Sequence, residues 1–164
     1  MMTTRPILTV NILNQYKSRF PLGFYSLIRG HTGEDYNFIN ENLISPITGK
    51  VVAVTNQTEM GRCIYIQDIR GSIHIFAHLK SIFIKIGDKV KRNDLIAVTG
   101  NTGRKSTDAH LHYEIITRTP VNTEDKKMTR KLYSFIGYNT RPSTYLKVIY
   151  KEFGIGNNGQ DLKK

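Results

Sequence analysis

The chain has 164 residues, of which 39% are hydrophobic, enough for one buried core but hardly for two. Its 24 Lys and Arg residues against 13 Asp and Glu residues give a formal net charge of +11 at pH 7, which favours an anionic partner. The basic residues are scattered and lack the interleaved aromatic residues typical of nucleic-acid binding, so we expect no nucleic-acid partner. The single cysteine, Cys63, excludes an intrachain disulfide and is expected to be a small buried residue.

The N-terminal segment, residues 1–22, mixes apolar and polar residues in a way that fits an edge strand with a turn, or a short helix. It is too short and too polar to span a membrane. It also lacks the sustained apolar run and small-residue cleavage site of an export signal. We therefore expect neither a transmembrane segment nor a signal peptide in this segment.

An early phrase, His31-Thr32-Gly33-Glu34-Asp35, places an imidazole and a carboxylate with three residues between them. Both side chains can bind one metal ion if the backbone between them turns, and Gly33 is a residue free to do so. This spacing is weak by itself, because a lone His-Asp pair is more often a surface hydrogen bond. The phrase predicts two metal ligands only in the company of further histidines.

Short β-branched runs separated by turn signals predict a mainly β fold with few short helices. The central strands are predicted at residues 49–54, 63–67, 72–78 and 95–98. Arg70 and Gly71 are expected to form the turn of a hairpin between the second and third of these runs. His78 would then lie at a strand end. His74 has the same parity as His78 and could face the rim of a groove, but we expect a packed or solvent-facing histidine without a chemical role.

A late phrase, His110-Leu111-His112, opens a strand-prone stretch. Side chains two residues apart on a strand point to one face, and two imidazoles there are costly to bury without a partner or a metal. One of them can complete a His/Asp/His site with a position left open for water. The other, with His78, would position or deprotonate water or stabilise an oxyanion. The phrases together predict a metallohydrolase.

These phrases resemble the M23 zinc metallopeptidases, the lysostaphin and LytM type of peptidoglycan endopeptidase. The marks of that family are H-x-G-x-D, a later H-L-S-like phrase and S-T-x-x-H-L-H. They stand here as residues 31–35, His78-Leu79-Lys80 and residues 106–112. The resemblance runs from about Tyr25 to about Leu146. It implies a single-domain antiparallel β-sheet groove of the LytM/duplicated hybrid motif type, with the peptidase domain at residues 23–150.

The resemblance also implies a role for each site residue. The implied ligands of one Zn²⁺ per chain are His31, Asp35 and His112. The implied catalytic residues are His78 and His110, which help to orient the attacking water and stabilise the tetrahedral intermediate, and Tyr25, which helps to stabilise that intermediate.

The function implied is hydrolysis of peptide bonds in the stems or cross-links of bacterial peptidoglycan. Because residues 1–22 lack an export signal, we expect action at the cell wall after delivery by phage lysis, by a virion or by another route. The alternative is a noncatalytic peptidoglycan-binding or scaffold domain of the same fold. All five ligand and histidine positions are present, which argues against that alternative.

Three segments depart from the family pattern. Asp108-Ala109 replaces the usual small or Gly-Pro pair before H-L-H, and Arg104-Lys105 lengthens the preceding turn. Residues 119–138 are interpreted as an insertion that forms a wall of the groove. They precede residues 141–146, which resemble the closing Pro-x-x-Tyr-Leu segment of the family. The glycine-rich residues 151–164 are expected to form a mobile tail.

Overall fold

A computed structural model describes residues 4–14, 32–103, 110–121, 125–130 and 135–157 of the chain. In these ranges the strands form one 11-stranded sheet in which every pair of strands is antiparallel. The strands are β1 (Ile12–Asn14), β2 (Glu34–Tyr36), β3 (Asn42–Ile44), β4 (Gly49–Gln57), β5 (Gly61–Asp68), β6 (Ile73–Ile82), β7 (Lys89–Val90), β8 (Leu95–Thr99), β9 (Leu111–Thr117), β10 (Lys126–Arg130) and β11 (Phe135–Thr140). One helix, α1 (Pro142–Glu152), packs on the sheet. The expected mainly β, antiparallel fold is confirmed.

Helix α1 follows from its sequence. Pro142 occupies the first turn, where its fixed φ suits a helix start and its missing N–H costs nothing. The buried side chains recur at helical spacing and form one apolar face: Tyr145, Leu146, Ile149 and Tyr150. This face covers the main hydrophobic core, which includes Phe76 on β6.

Strand β6 changes partners along one edge. Residues 73–77 pair with β9, whereas the part from Leu79 to Ile82 pairs with β8. His78 lies between the two parts, with a φ of 61° in the left-handed region. The register with β5 also shifts here, so that β6 carries one extra residue, a β-bulge. His78 therefore lies at a bulge inside β6, and the prediction that it ends a strand is wrong.

The bulge decides which face of the sheet His78 joins. Phe76 belongs to the main core under α1, while Ala77 belongs to a smaller cluster on the opposite face. Leu79 lies in the main core again, so the alternation has skipped one residue at His78. His74 lies on the same face as Phe76, and the parity argument that put His74 and His78 together fails at the extra residue.

A buried polar network holds His74 in the interior, where it is fully buried. Its Nε2 lies 2.8 Å from Asp68 Oδ2, and its Nδ1 lies 2.6 Å from the Tyr113 hydroxyl. Tyr145 of α1 donates to the same Asp68 oxygen at 2.5 Å. Burial raises the pKa of Asp68, but hydrogen bonds from His74, Tyr145 and Ser72 outweigh it and lower that pKa below its usual value. His74 is thus a packed histidine.

The other predicted segments fit the sheet in part. Strands β5 and β6 form the expected hairpin, with Gly71 at φ 85° in its turn. The N-terminal segment contains a 3₁₀ turn, Ile7–Thr9, followed by β1 at the end of the strand order. Most of the predicted insertion that lies within the described residues belongs to the hairpin of β10 and β11, and β11 pairs with β9.

Cys63 is buried, as expected. No helix in the described ranges is long and apolar enough to cross a membrane.

Removing the Tyr145 hydroxyl should destabilise the fold. Tyr145→Phe takes a donor from the buried Asp68 carboxylate, and hydrogen bonds to charged groups contribute about 1.5–3 kcal/mol. Tyr150→Phe is a matched control on the same helix, because the Tyr150 hydroxyl donates to a neutral acceptor, the Pro46 carbonyl, at 2.6 Å. We expect chemical denaturation to show a larger loss in the free energy of unfolding for Tyr145→Phe. An equal or smaller loss would contradict the importance of this network.

Candidate active site

The cross-strand pair of Asp35 and His112 is the centre of the candidate site. Strand β2 pairs with β9 in a register that sets these two residues opposite each other. Both side chains are buried, and Asp35 Oδ1 lies 2.9 Å from His112 Nδ1. Residues separated by 77 positions in the chain are thus joined by the pairing of two strands.

Gly33 lets β2 approach β9. A Cβ built on Gly33 would lie 2.2 Å from the Tyr113 carbonyl oxygen and 3.1 Å from His112 Cε1. The chain bends at Thr32 and Gly33, and it does so with a φ at Gly33 outside the left-handed region. This position also requires a residue without a side chain, because two backbones meet there.

Three of the predicted site histidines surround Asp35. His110 directly precedes β9, and its Nε2 lies 3.7 Å from Asp35 Oδ1. The ring centroid of His78 lies 4.9 Å from that of His110 and 6.2 Å from that of His112. The structure therefore brings together four of the predicted site residues: Asp35, His78, His110 and His112.

The remaining predicted residues are not described. His31 and Tyr25 lie outside the described residues, as do Arg104-Lys105 and Asp108-Ala109. The structure therefore does not test their predicted roles.

The tautomer of His78 is set by a loop carbonyl. Its Nδ1 lies 2.7 Å from the Thr102 carbonyl oxygen, which can only accept, so Nδ1 carries the proton. Burial, together with the nearby His112 and His110, lowers the pKa of His78 to about 4. His78 is accordingly neutral at pH 7, and the lone pair of the ring is on Nε2.

The Thr102 loop is itself fixed against the sheet. The Thr102 hydroxyl donates to the Leu79 carbonyl at 2.7 Å. Gly61, at φ 65°, lies so close that a Cβ there would be 2.4 Å from the Thr102 carbonyl carbon. The partner of His78 Nδ1 is therefore held by tight backbone packing, and this part of the site was missed at the sequence level.

His112 lies between two carboxylates. Its Nδ1 contacts Asp35, and its Nε2 lies 3.0 Å from Glu114 Oε1. Burial lowers the pKa of His112, but hydrogen bonds to Asp35 and Glu114 and their charges outweigh it and raise the pKa to about 9. Positive charge is thus favoured between these carboxylates.

The donor atoms fit part of a metal site. Two ligands of one tetrahedral zinc at about 2.0–2.1 Å lie about 3.3 Å apart, close to the observed separation of Asp35 Oδ1 and His112 Nδ1. Within the described part of the chain, no group of three or more His, Cys, Asp and Glu residues forms a metal-binding set. The third predicted ligand, His31, lies outside that part.

The comparisons with known proteins agree with this fold. The model of peptidase family M23 matches residues 29–123, more than half of the chain. The chain belongs to peptidase family M23.

Two curated relatives and one solved structure show how far the similarity extends. An uncharacterized metalloprotease of Buchnera aphidicola subsp. Baizongia pistaciae is 41% identical over 86 residues, 52% of this chain and 23% of the relative. The peptidoglycan DD-endopeptidase ShyA of Vibrio cholerae is 38% identical over 94 residues, 56% of this chain and 22% of ShyA. The chain thus matches less than a quarter of the length of these relatives. The catalytic domain of lysostaphin from Staphylococcus simulans matches with a TM-score of 0.65 and 25% identity over 86% of this chain and 95% of that domain.

Adding a methyl group at Gly33 should disturb both the fold and the site. In Gly33→Ala the new Cβ would collide with the Tyr113 carbonyl and force β2 away from β9. Overpacking of this kind costs about 1–3 kcal/mol, measurable by chemical denaturation. Because Asp35 moves with β2, we also expect shifted ring resonances of His110 and His112 in NMR spectra.

Gly87→Ala is the matched control for this substitution. Nothing lies within 4 Å of a Cβ on Gly87, but its φ of 93° strains any L residue. It should therefore reduce stability while leaving the histidine ring resonances unchanged. Unchanged resonances in Gly33→Ala as well would contradict the link between this glycine and the site.

Proposed function

We propose that the chain is a zinc-dependent endopeptidase that hydrolyses peptide bonds in bacterial peptidoglycan. The observation that carries this proposal is the convergence of Asp35, His78, His110 and His112, which come from three separate sequence phrases, on one face of the sheet. The membership of family M23 and the similarity to a metalloprotease and to a peptidoglycan DD-endopeptidase support it.

The proposed zinc ligands are His31, Asp35 and His112. Two imidazoles and a carboxylate with one position left for water are a typical donor set for catalytic zinc. The resemblance to the family assigns the second imidazole to His112, whose Nδ1 lies 2.9 Å from Asp35 Oδ1, while His110 Nε2 lies 3.7 Å from the same oxygen. When bound, zinc supplies a Lewis acid that lowers the pKa of water and polarises the scissile carbonyl.

His78 and His110 are the proposed catalytic pair. With its Nδ1–H donated to Thr102, His78 presents an unprotonated Nε2 that can accept a proton from the attacking water. His110, whose ring lies next to that of His78, is proposed to orient this water and to stabilise the negative charge of the tetrahedral intermediate. The assistance of Tyr25 stays a prediction.

The proposed substrate fits the charge of the chain. Peptidoglycan with its wall polymers is anionic, and a net charge of +11 favours association with such a surface. Action at the cell wall follows from this substrate. Delivery by a phage or a virion stays a prediction.

The peptidase proposal is tested by digestion of purified peptidoglycan, with mass spectrometry of the released fragments. The wild-type chain should produce new amino termini, and the fragment masses identify the bond that is cut. A noncatalytic wall-binding domain would sediment with the walls and release none, which would overturn the proposal.

The variant His78→Asn tests the proposed catalytic role of His78 separately from zinc binding. Asn tolerates the φ of 61° at this position but supplies no imidazole base. We expect the rate of peptidoglycan cleavage to fall about 10²–10⁴-fold, with the zinc content unchanged. Asp35→Ala should lose both zinc and activity. Lys80→Ala, an exposed neighbour in the same phrase, should retain both. Wild-type turnover in His78→Asn would refute the assigned role.

Metal removal tests the zinc requirement directly. Protein purified without chelator should contain about one zinc per chain by elemental analysis, as a catalytic zinc site requires. Treatment with a chelator should abolish peptidoglycan cleavage, and added Zn²⁺ should restore it. Full activity of metal-free protein would exclude a metallopeptidase mechanism for this chain.

A further inference from the structure

Glu114 is a buried carboxylate beside the proposed zinc ligands. It follows His112 by two residues on β9, so both side chains lie on the same face of the sheet. Glu114 is fully buried, and its Oε1 lies 3.0 Å from His112 Nε2. The same oxygen accepts a hydrogen bond from the Thr32 hydroxyl at 2.9 Å. One carboxylate oxygen therefore contacts both the early and the late ligand phrases.

The chemistry of an imidazole explains what this contact can do. A histidine that binds a cation through Nδ1 carries its remaining proton on Nε2, and a buried N–H needs an acceptor. Glu114 is that acceptor for His112, and a charged acceptor makes the hydrogen bond stronger than a neutral one would. It also fixes the rotation of the ring, since a ring flipped by 180° would lose this contact.

We propose that Glu114 is a positioning residue that holds the His112 ring with Nδ1 directed at Asp35 and anchors Thr32 next to His31. The inference rests on the proposed function, because it assigns His112 and His31 to the metal. Glu114 is fully buried, so the proposed action on the metal is indirect. It acts through the orientation and basicity of His112, and carboxylates in such positions typically change metal affinity or activity 10–100-fold.

Glu34 is a second fully buried glutamate near the site, and it provides a comparison. Its Oε1 accepts hydrogen bonds from the Tyr36 hydroxyl at 2.9 Å and from the Ser143 backbone N–H at 2.7 Å. Its Oε2 accepts one from the Ser143 hydroxyl at 2.8 Å. Glu34 therefore fixes the N-terminus of α1, whereas Glu114 fixes an imidazole. Substitution of either glutamate should reduce the free energy of unfolding, but only substitution of Glu114 should change the affinity for zinc.

The test compares zinc affinity in Glu114→Met, Glu114→Gln and Glu34→Gln, by competition with a chromophoric chelator and Zn²⁺ alone as the ligand. Glu114→Met removes the acceptor at similar volume and should weaken zinc binding about 10–100-fold. Glu114→Gln keeps a carbonyl acceptor without the charge and should lose less. Glu34→Gln should bind zinc like the wild type, and denaturation curves identify which variants are folded.

A spectroscopic readout separates positioning from general loss of structure. In the zinc-loaded wild type, ¹⁵N-resolved NMR spectra should show a protected Nε2–H of His112. This signal should persist in Glu114→Gln and should exchange rapidly with water in Glu114→Met, because the acceptor is gone.

The possible outcomes distinguish a failure of the role assigned to Glu114 from a failure of the proposed function. Wild-type zinc affinity and a protected Nε2–H in folded Glu114→Met would overturn the role of Glu114 and leave the proposed function intact. If Glu114→Met does not fold, unchanged zinc affinity in Glu114→Gln would overturn it. Absence of zinc binding by the wild-type chain would instead overturn the proposed function, and this inference with it.

Discussion

Directly before β2, the chain approaches β9 so closely at Gly33 that a Cβ there would lie 2.2 Å from the Tyr113 carbonyl oxygen. The site depends on this approach, because the pairing of the two strands sets Asp35 opposite His112. A wider separation would remove the 2.9 Å contact between their side chains. Gly33 therefore supports the site by leaving room for this approach, although it has no functional group of its own.

A second constraint is the bulge at His78, which places the His78 imidazole beside those of His110 and His112. Regular alternation along β6 would point His78 into the main core with His74 and Phe76. The extra residue turns it to the face that carries His112, and the change of partner from β9 to β8 occurs at the same position. A residue other than glycine at φ 61° is uncommon, and such conformations persist where the surrounding structure holds them. The Thr102 carbonyl and the hydrogen bond from the His78 N–H to the Met60 carbonyl supply that support.

The sequence predicted the mainly β fold, the central strands and the residues that converge, because β-branched runs and the three phrases carry strong local signals. It missed the bulge, since residues 73–79 are buried on both faces and show no alternation that an extra residue could interrupt. Glu114 could have been found, because the two-residue spacing that pairs His110 with His112 applies equally to Glu114. The Thr102 contact had no signal, because tertiary packing against Gly61 produces it.

The adjacent carboxylates of β2 connect the site to the rest of the domain. Alternation along the strand sends Asp35 to the histidines and Glu34 to the opposite face, where it binds Ser143 at the start of α1. Tyr145 of α1 donates a hydrogen bond to Asp68, and Asp68 contacts His74. His74 lies on β6, the strand that also bears His78, but on the opposite face of the sheet. The hydrogen bonds of α1 thus hold β2 and β6, the strands that supply Asp35 and His78, on the face of the sheet opposite the site. Buried charges are costly unless they are paired, so the hydrogen bonds of Glu34 and Asp68 leave each strand little freedom to shift. The proposed metal site, which requires its donor atoms to be held within about 0.5 Å, would need this rigidity from residues outside it.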